Sequence, residues 1–469
     1  MDHAELTVLG AAAALGRGST TSEALADALL ARAAAHKDLN AFISQDPERV
    51  RAAARAADEA RAAGGIRGAL HGVPIALKDN IDTTELPTTG GTPALKAHRP
   101  GRNAPVAEAL FRAGAILLGK TNLHELAYGV TNNNGAFGPA RNPWNRRLIP
   151  GGSSGGTGVA VAARLAPAGL GSDTGGSVRI PAALCGCVGF RPTTKRYSQA
   201  GIVPISSTRD TAGPMTRSVA DAILLDGVIT GGPTTLEPVA LNGLRLGVPR
   251  EYFYADLDPQ LAEVVTAELD RLRRLGVVLV EADVPRLKEL DEAASFPVAL
   301  YETVTTLRQY LDEGRIGVTL ERLFADVASP DVKGFLASLL GDGAVPEAAY
   351  RDAIDTHRPA LQAVLEDHFR RHQLAAIIFP TTPMPARPIG EDETVEVGGQ
   401  RVPTFFTYIR NTDPASNAAL PGLSLPIGLT RDGLPVGIEL DAPSGRDHAL
   451  LAIGLAYEAS RPPMPAPPL

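Results

Sequence analysis

IPGGSSGGTGVAVAARLAPAGLGSDTGGSVRIPAALCGCVGFRPTT, residues 149–194, carries two clusters of glycine and small hydroxyl residues. The first is Gly151-Gly152-Ser153-Ser154-Gly155-Gly156 and the second is Ser172-Asp173-Thr174-Gly175-Gly176-Ser177. Loops of this composition let backbone N–H groups converge on one point, because glycine accepts φ > 0 and has no Cβ to block approach. Between the clusters, VAVAARLAPAGLG is small and apolar and reads as a packed helix turning into a short strand. Flexible Gly/Ser linkers contain no such buried segment, so the two serine loops are expected to return to one place.

Outward from this stretch the chain alternates strands and helices. Thr20-Thr21-Ser22-Glu23 is a capping box for a helix through Ala35, and Pro47 opens a second. Leu70 to Leu77 reads as a buried strand delivering Lys78 at its end. Val106 to Ala113 predicts a helix, Ala115 to Leu118 a strand, and Thr121 to Ala127 the start of another helix. Downstream, Leu244 to Val248, Val277 to Val280, Ala375 to Phe379, Gly422 to Leu429 and Val436 to Leu440 read as strands. Residues 285–372 are almost wholly helical in pattern. The expectation is one α/β domain over residues 1–469, a large mixed central β-sheet flanked by helices. Residues 1–64 pack on it as N-terminal helices, and residues 285–372 form a helical insertion or cap.

Composition narrows the function. Of 469 residues, 44% are hydrophobic and 21% charged, an ordinary globular balance. The net charge of −7 with no basic stripe argues against nucleic acid. The only two cysteines, Cys185 and Cys187, sit too close for an ordinary bridge and are too few for structural zinc. They read as small buried hydrophobes in a reducing compartment. The acidic start lacks the basic region of a secretory signal, and no run is long enough to span a bilayer. The expectation is a cytoplasmic enzyme with no metal and no cofactor, a monomer or homodimer, acting on a small molecule rather than on nucleic acid or membrane.

The serine stretch resembles the signature of the amidase signature family of serine hydrolases from Gly151 to Pro192 almost without a break. Upstream, Gly72-Val73-Pro74-Ile75-Ala76-Leu77-Lys78-Asp79-Asn80 resembles that family's lysine motif. The resemblance implies a Ser–Ser–Lys triad that cleaves amides, with Ser177 as nucleophile, Ser153 as a bridging serine on a cis peptide bond, and Lys78 as base. It also implies an oxyanion hole from Thr174, Gly175, Gly176 and Ser177. Ala127, Tyr128 and Gly129 would line the substrate pocket, with Ser154 and Ile180 beside them. Phe190 to Thr194 and Ser207 to Thr211 resemble the indoleacetamide and mandelamide hydrolase branch, so small aryl or arylalkyl amides are the expected substrates. Aryl carbamates and esters pass through the same tetrahedral chemistry.

The residues themselves support this chemistry. Serine is a weak nucleophile until a neighbour takes its proton. No histidine lies in a Gly-rich or strand-end context, and His71 and His124, the nearest to the motifs, read as structural. Lysine can replace histidine if burial lowers its pKa, and Lys78 follows the apolar run Pro-Ile-Ala-Leu. Asp79 is expected to point away from it, because successive side chains on a strand alternate. Arg179 and Asp173 are expected to hold the loop by ion pairing. Pro403 to Tyr408 is the one aromatic cluster, and Phe405 and Phe406 are candidates for an aromatic wall in a loop near the sheet's end.

Other patterns compete. Gly114 to Thr121 fits the P-loop expression, but its variable positions are Ala-Ile-Leu-Leu, a strand and no phosphate cradle. Gly151 to Gly155 fits the nucleophile elbow of α/β-hydrolases, which would make Ser153 the nucleophile and His448 its base. Gly152 to Gly158 lacks the spacing of a dinucleotide-binding loop. Some members of the resembled family are instead glutamine-hydrolysing subunits of tRNA amidotransferases.

Overall fold

The computed structural model describes residues 2–469. Its strands, in chain order, are β1 (Phe42–Ser44), β2 (Pro74–Lys78), β3 (Ile116–Thr121), β4 (Ala168–Asp173), β5 (Val188–Arg191), β6 (Thr211–Thr216) and β7 (Arg245–Gly247). There follow β8 (Val278–Val280), β9 (Ala376–Pro380), β10 (Thr394–Val397), β11 (Gln400–Pro403), β12 (Gly422–Leu429) and β13 (Pro435–Asp441). Eleven of them form one mixed sheet in the order β1-β3-β2-β4-β6-β5-β12-β13-β9-β7-β8, and β10 and β11 make a separate hairpin. Helices cover both faces of the sheet. Val8, Leu25 and Leu29 pack towards β2 and β3 in one half, and Val265, Leu269 and Leu451 pack towards β12 and β13 in the other.

The middle of this sheet sets up the site. β2 is buried at every residue and lies parallel to β4, with Leu77 beside Leu170. Parallel strands end at the same edge, so Lys78 at the end of β2 and Ser172 near the end of β4 emerge together. The helix Gly155–Ala162 crosses between the first serine cluster and β4, and every residue in it is buried. The two serine loops therefore meet at the carboxyl edge of one strand pair.

The span 285–372 is helical as expected. Its long helix Leu287–Glu313 and the shorter Leu320–Ala325 and Pro330–Ser338 bring Leu307, Leu323, Phe324 and Leu336 against Leu95, Leu126 and Val203. Each of these large side chains contributes roughly 1.5–3 kcal/mol when removed from water. That apolar seam fastens the helical segment over the edge where Lys78 emerges.

Two local expectations need correcting, and one strand was not foreseen. Residues 121–127 do not start a helix; only a three-residue 3₁₀ turn forms at Glu125–Ala127, with φ of +52° at Leu126 and +66° at Ala127. Tertiary bonds override helical propensity here, since Leu126 N–H donates to Gly90 O at 2.7 Å and His124 N–H to Ser153 O at 3.0 Å. The aromatic segment is not a loop but the helix Thr404–Ile409. Thr211–Thr216 is a sheet strand beside β4, although its Ala-Gly-Pro core has little strand propensity.

Candidate active site

Lys78 is fully buried, and its Nζ donates to Ser153 Oγ at 2.7 Å and to Ser172 Oγ at 2.9 Å. Asn80 Nδ2 also donates to Ser172 Oγ, at 2.9 Å, which holds that hydroxyl beside the lysine. Burial lowers the Lys78 pKa to about 7, against an opposing pull from the carboxylates of Asp173 and Asp210. Neither carboxylate touches the ammonium group. Asp79 points away as expected: it accepts from Thr89 and lies 3.5 Å from the buried Lys120. Lys78 thus sits where a neutral amine is populated at neutral pH, bonded to a serine hydroxyl.

Ser153 follows a cis peptide bond to Gly152 and is as buried as Lys78. Ser177 is placed differently: it is half-buried and stands in the wall of a cavity of about 470 Å³. Its carbonyl accepts from Ser154 N–H at 3.1 Å, which locks the second serine loop onto the first.

Asp173 organises the turn that leads to Ser177. Its carboxylate accepts from Gly176 N–H at 2.9 Å and Val178 N–H at 3.1 Å. It also pairs with Arg179 at 3.0 Å and Arg191 at 2.9 Å. Burial disfavours its charge, but the two guanidinium groups outweigh that and hold the carboxyl well below the usual range. Arg179 continues to Glu439 at 2.5 Å and to Ser416 Oγ at 2.6 Å. Gly176 has φ +132°, and any side chain there would run into Thr412. Only glycine suits that position.

The cavity wall draws on four segments. Ala127, Tyr128, Gly129 and Val130 come from the strained turn, and Thr174, Gly175, Ser177 and Ile180 from the second serine loop. The helical segment adds Phe296, Ala299, Leu300, Val332 and Phe335. Phe405, Phe406 and Ile409 complete it from the helix Thr404–Ile409. Phe296 meets Phe406 and Phe405 edge-on, with ring centroids 5.3 and 6.1 Å apart, and Tyr128 lies 6.1 Å from Phe335. Tyr128 also shares a 2.5 Å hydroxyl bond with Thr303 of the long helix. A largely apolar, aromatic-walled space that reaches Ser177 suits an aryl-bearing ligand. A second cavity of about 440 Å³, bounded by Arg164, Arg217, Glu458 and Met464, contains none of Lys78, Ser153 or Ser177.

The Amidase family profile matches residues 24–451. The chain belongs to the amidase family. It is 48% identical to the indoleacetamide hydrolase of Agrobacterium vitis, over 92% of each chain. It is 44% identical to the mandelamide hydrolase of Pseudomonas putida, over 97% of this chain and 91% of that one. Among solved structures it is similar to the peptide amidase from Stenotrophomonas maltophilia, with a TM-score of 0.83 and 31% identity over 98% of this chain and 99% of that one. This amidase is accordingly an amide hydrolase acting on non-peptide C–N bonds.

Most of the residues singled out in the amidase sequence come together, and two are placed otherwise. Ser154 is not in the cavity wall: it is fully buried, its Oγ donating to Ser172 O at 3.1 Å and accepting from Ser172 N–H at 3.3 Å. Its hydroxyl is taken up in joining the two loops. The Gly176 N–H is held by Asp173, so it does not face the cavity as a free donor. The N–H groups of Thr174, Gly175 and Ser177 have no acceptor among the described residues.

The rival motifs come apart in the fold. Ser153 bonds to Lys78, whereas His448 lies 2.8 Å from Arg196 and 3.5 Å from Asp226. Lys120, in the P-loop-like run, is buried in β3. His124 joins the helical segment through Asp331 at 3.0 Å and receives Asn132 N–H at 3.2 Å. Phe296 and Phe335 escaped sequence reasoning. Each lies in a helix far from the motifs in sequence, and nothing local distinguishes it from core. Among the described residues no helix is long and apolar enough to cross a membrane.

Proposed function

We propose that this amidase hydrolyses small arylalkyl amides through an acyl-enzyme on Ser177. The observation that carries the reading is the contrast between the two serines: Ser177 reaches the cavity, while Ser153 is buried against Lys78. A nucleophile must touch its substrate, and a relay need not. In the first step Ser177 Oγ attacks the amide carbonyl carbon. Its proton passes to Ser153, whose own proton passes to neutral Lys78. The N–H groups of Thr174, Gly175 and Ser177 receive the developing oxyanion. Lys78 then returns the proton through Ser153 to the departing nitrogen, and ammonia leaves. Water, deprotonated along the same chain, releases the acid. The aromatic wall supports aryl-bearing acyl groups, as do the names of the indoleacetamide and mandelamide hydrolases. Aryl carbamates and esters are reachable by the same steps.

A panel of arylacetamides, anilides, aryl carbamates, esters and glutamine, offered to the pure protein without ATP or tRNA, tests the substrate class. Arylacetamides are expected to turn over fastest. Glutamine as the sole substrate would point instead to an amidotransferase subunit.

The pH dependence follows from Lys78. Its folded pKa of about 7 lies below the ordinary 10.5, so the neutral base predominates above pH 7 and is lost below it. kcat/KM on an amide should fall about tenfold per unit on the acid side of a midpoint near 7. A profile flat down to pH 5 would rule out Lys78 as the base.

A further inference from the structure

β4 and β6 run antiparallel, and Asp173 stands opposite Thr211 on their last paired rung. One residue beyond, Thr174 and Asp210 face each other where the ladder ends. A side-chain bond continues the pairing there, with Thr174 Oγ1 donating to Asp210 Oδ1 at 2.6 Å. The other oxygen, Oδ2, accepts from Ile205 N–H at 2.8 Å and Ser206 N–H at 3.0 Å. Asp210 is 7% exposed, and among the described residues it makes no ion pair. Its charge is met by one hydroxyl and two amides, and hydrogen bonds to an ionised acceptor are shorter and stronger than neutral ones.

The loop that supplies those amides is itself anchored. Glu302 of the long helix Leu287–Glu313 accepts from Ser206 Oγ at 2.6 Å and from Thr208 N–H at 3.1 Å. Thr174 is therefore held from outside its own turn, by a carboxylate whose surroundings cannot easily shift. Thr174 and Gly175 line the cavity next to Ser177, and their N–H groups are unclaimed.

We infer that Asp210 is a positioning residue for amide hydrolysis: by gripping the Thr174 hydroxyl it fixes the direction of the Thr174 and Gly175 N–H groups towards the carbonyl oxygen of the bound amide. The inference rests on the proposed acyl-enzyme reading. Donors that stabilise a transition state act through preorganised geometry, and a misplacement of about 1 Å can cost roughly 100-fold in rate.

The test compares Thr174→Val, Thr174→Ser, Asp210→Ala and the double variant Thr174→Val/Asp210→Ala on an arylacetamide, with Ser177→Ala as reference. Thr174→Val replaces the hydroxyl by a methyl of similar size and should lower kcat by about 10–100-fold with KM changed less than about threefold. Thr174→Ser should recover kcat to within about threefold of wild type, since a merely steric role would not distinguish a hydroxyl from a methyl. Asp210→Ala also frees the Ile205 and Ser206 amides, so it should fall at least as far as Thr174→Val, and the double variant no further than Asp210→Ala, because both changes remove the same Thr174–Asp210 bond. Thr174→Val should still be labelled at Ser177 by a fluorophosphonate, which separates donor geometry from the nucleophile. Wild-type kcat in Thr174→Val, or no recovery in Thr174→Ser, would overturn the inference, and these two variants settle it even if Asp210→Ala does not fold. Turnover surviving in Ser177→Ala would instead overturn the acyl-enzyme reading on which it depends.

Discussion

Ser177→Ala should lower kcat on an arylacetamide by at least about 10⁴-fold, because groups acting as one catalytic unit lose nearly the whole enhancement when the nucleophile goes. The same change should leave thermal stability within about 2 °C of wild type. It removes one oxygen from a half-buried side chain that stands in a cavity wall and is not packed in the core. The anchoring of the turn does not pass through that hydroxyl: Asp173 holds Gly176 and Val178, and Ser154 holds the Ser177 carbonyl. Purified Ser177→Ala, with kinetics and a melting curve measured on the same sample, checks both halves. A large fall in melting temperature would mean that Ser177 is a structural residue.

Lys78→Met should cost about 10³–10⁴-fold on amides and at least tenfold less on activated aryl esters. Methionine keeps the buried stem and removes the amine. An amide nitrogen must be protonated to leave, whereas a phenolate leaves unaided, so the return of the proton matters to one substrate and hardly to the other. Stability should move the opposite way. Between pH 7 and 10.5 the unfolded chain carries a proton on Lys78 that the folded protein has largely released. The unfolded state binds more protons there, so stability rises with pH across that window. At pH 7 the burial of this lysine costs roughly 4 kcal/mol, partly offset by its bonds to Ser153 and Ser172. Lys78→Met is expected to melt higher than wild type at pH 7 and to show a weaker rise of stability with pH between 7 and 10, the remainder coming from groups such as the buried Lys120. Equal losses on amides and esters would reduce Lys78 to a structural support for the loop.

Much of the candidate site was legible because its signals are local. Two Gly/Ser clusters separated by an apolar helix–strand unit, and a lysine at the end of an apolar strand, are patterns that backbone chemistry makes visible in the chain. The large mixed sheet followed from strand–helix alternation and from the resemblance. What escaped depends on contacts between distant parts of the chain. The strained turn at Leu126 and Ala127 is set by bonds to Gly90 and from His124 to Ser153, which no local propensity encodes. β6 is a strand because β4 and β5 flank it, despite Gly213 and Pro214. The hydroxyl of Ser154 faces Ser172, although its place in the motif suggested the pocket. Phe296 reaches the aromatic wall only because the long helix lies across the sheet's edge, a tertiary fact.

The proposed mechanism puts the acyl group on half-buried Ser177 and has the fully buried Ser153 pass the proton. Treating the protein with a fluorophosphonate and mapping the adduct by peptide mass spectrometry tests this directly. A single adduct is expected on Ser177, absent from Ser177→Ala and formed much more slowly in Lys78→Met. An adduct on Ser153, with turnover persisting in Ser177→Ala, would contradict it.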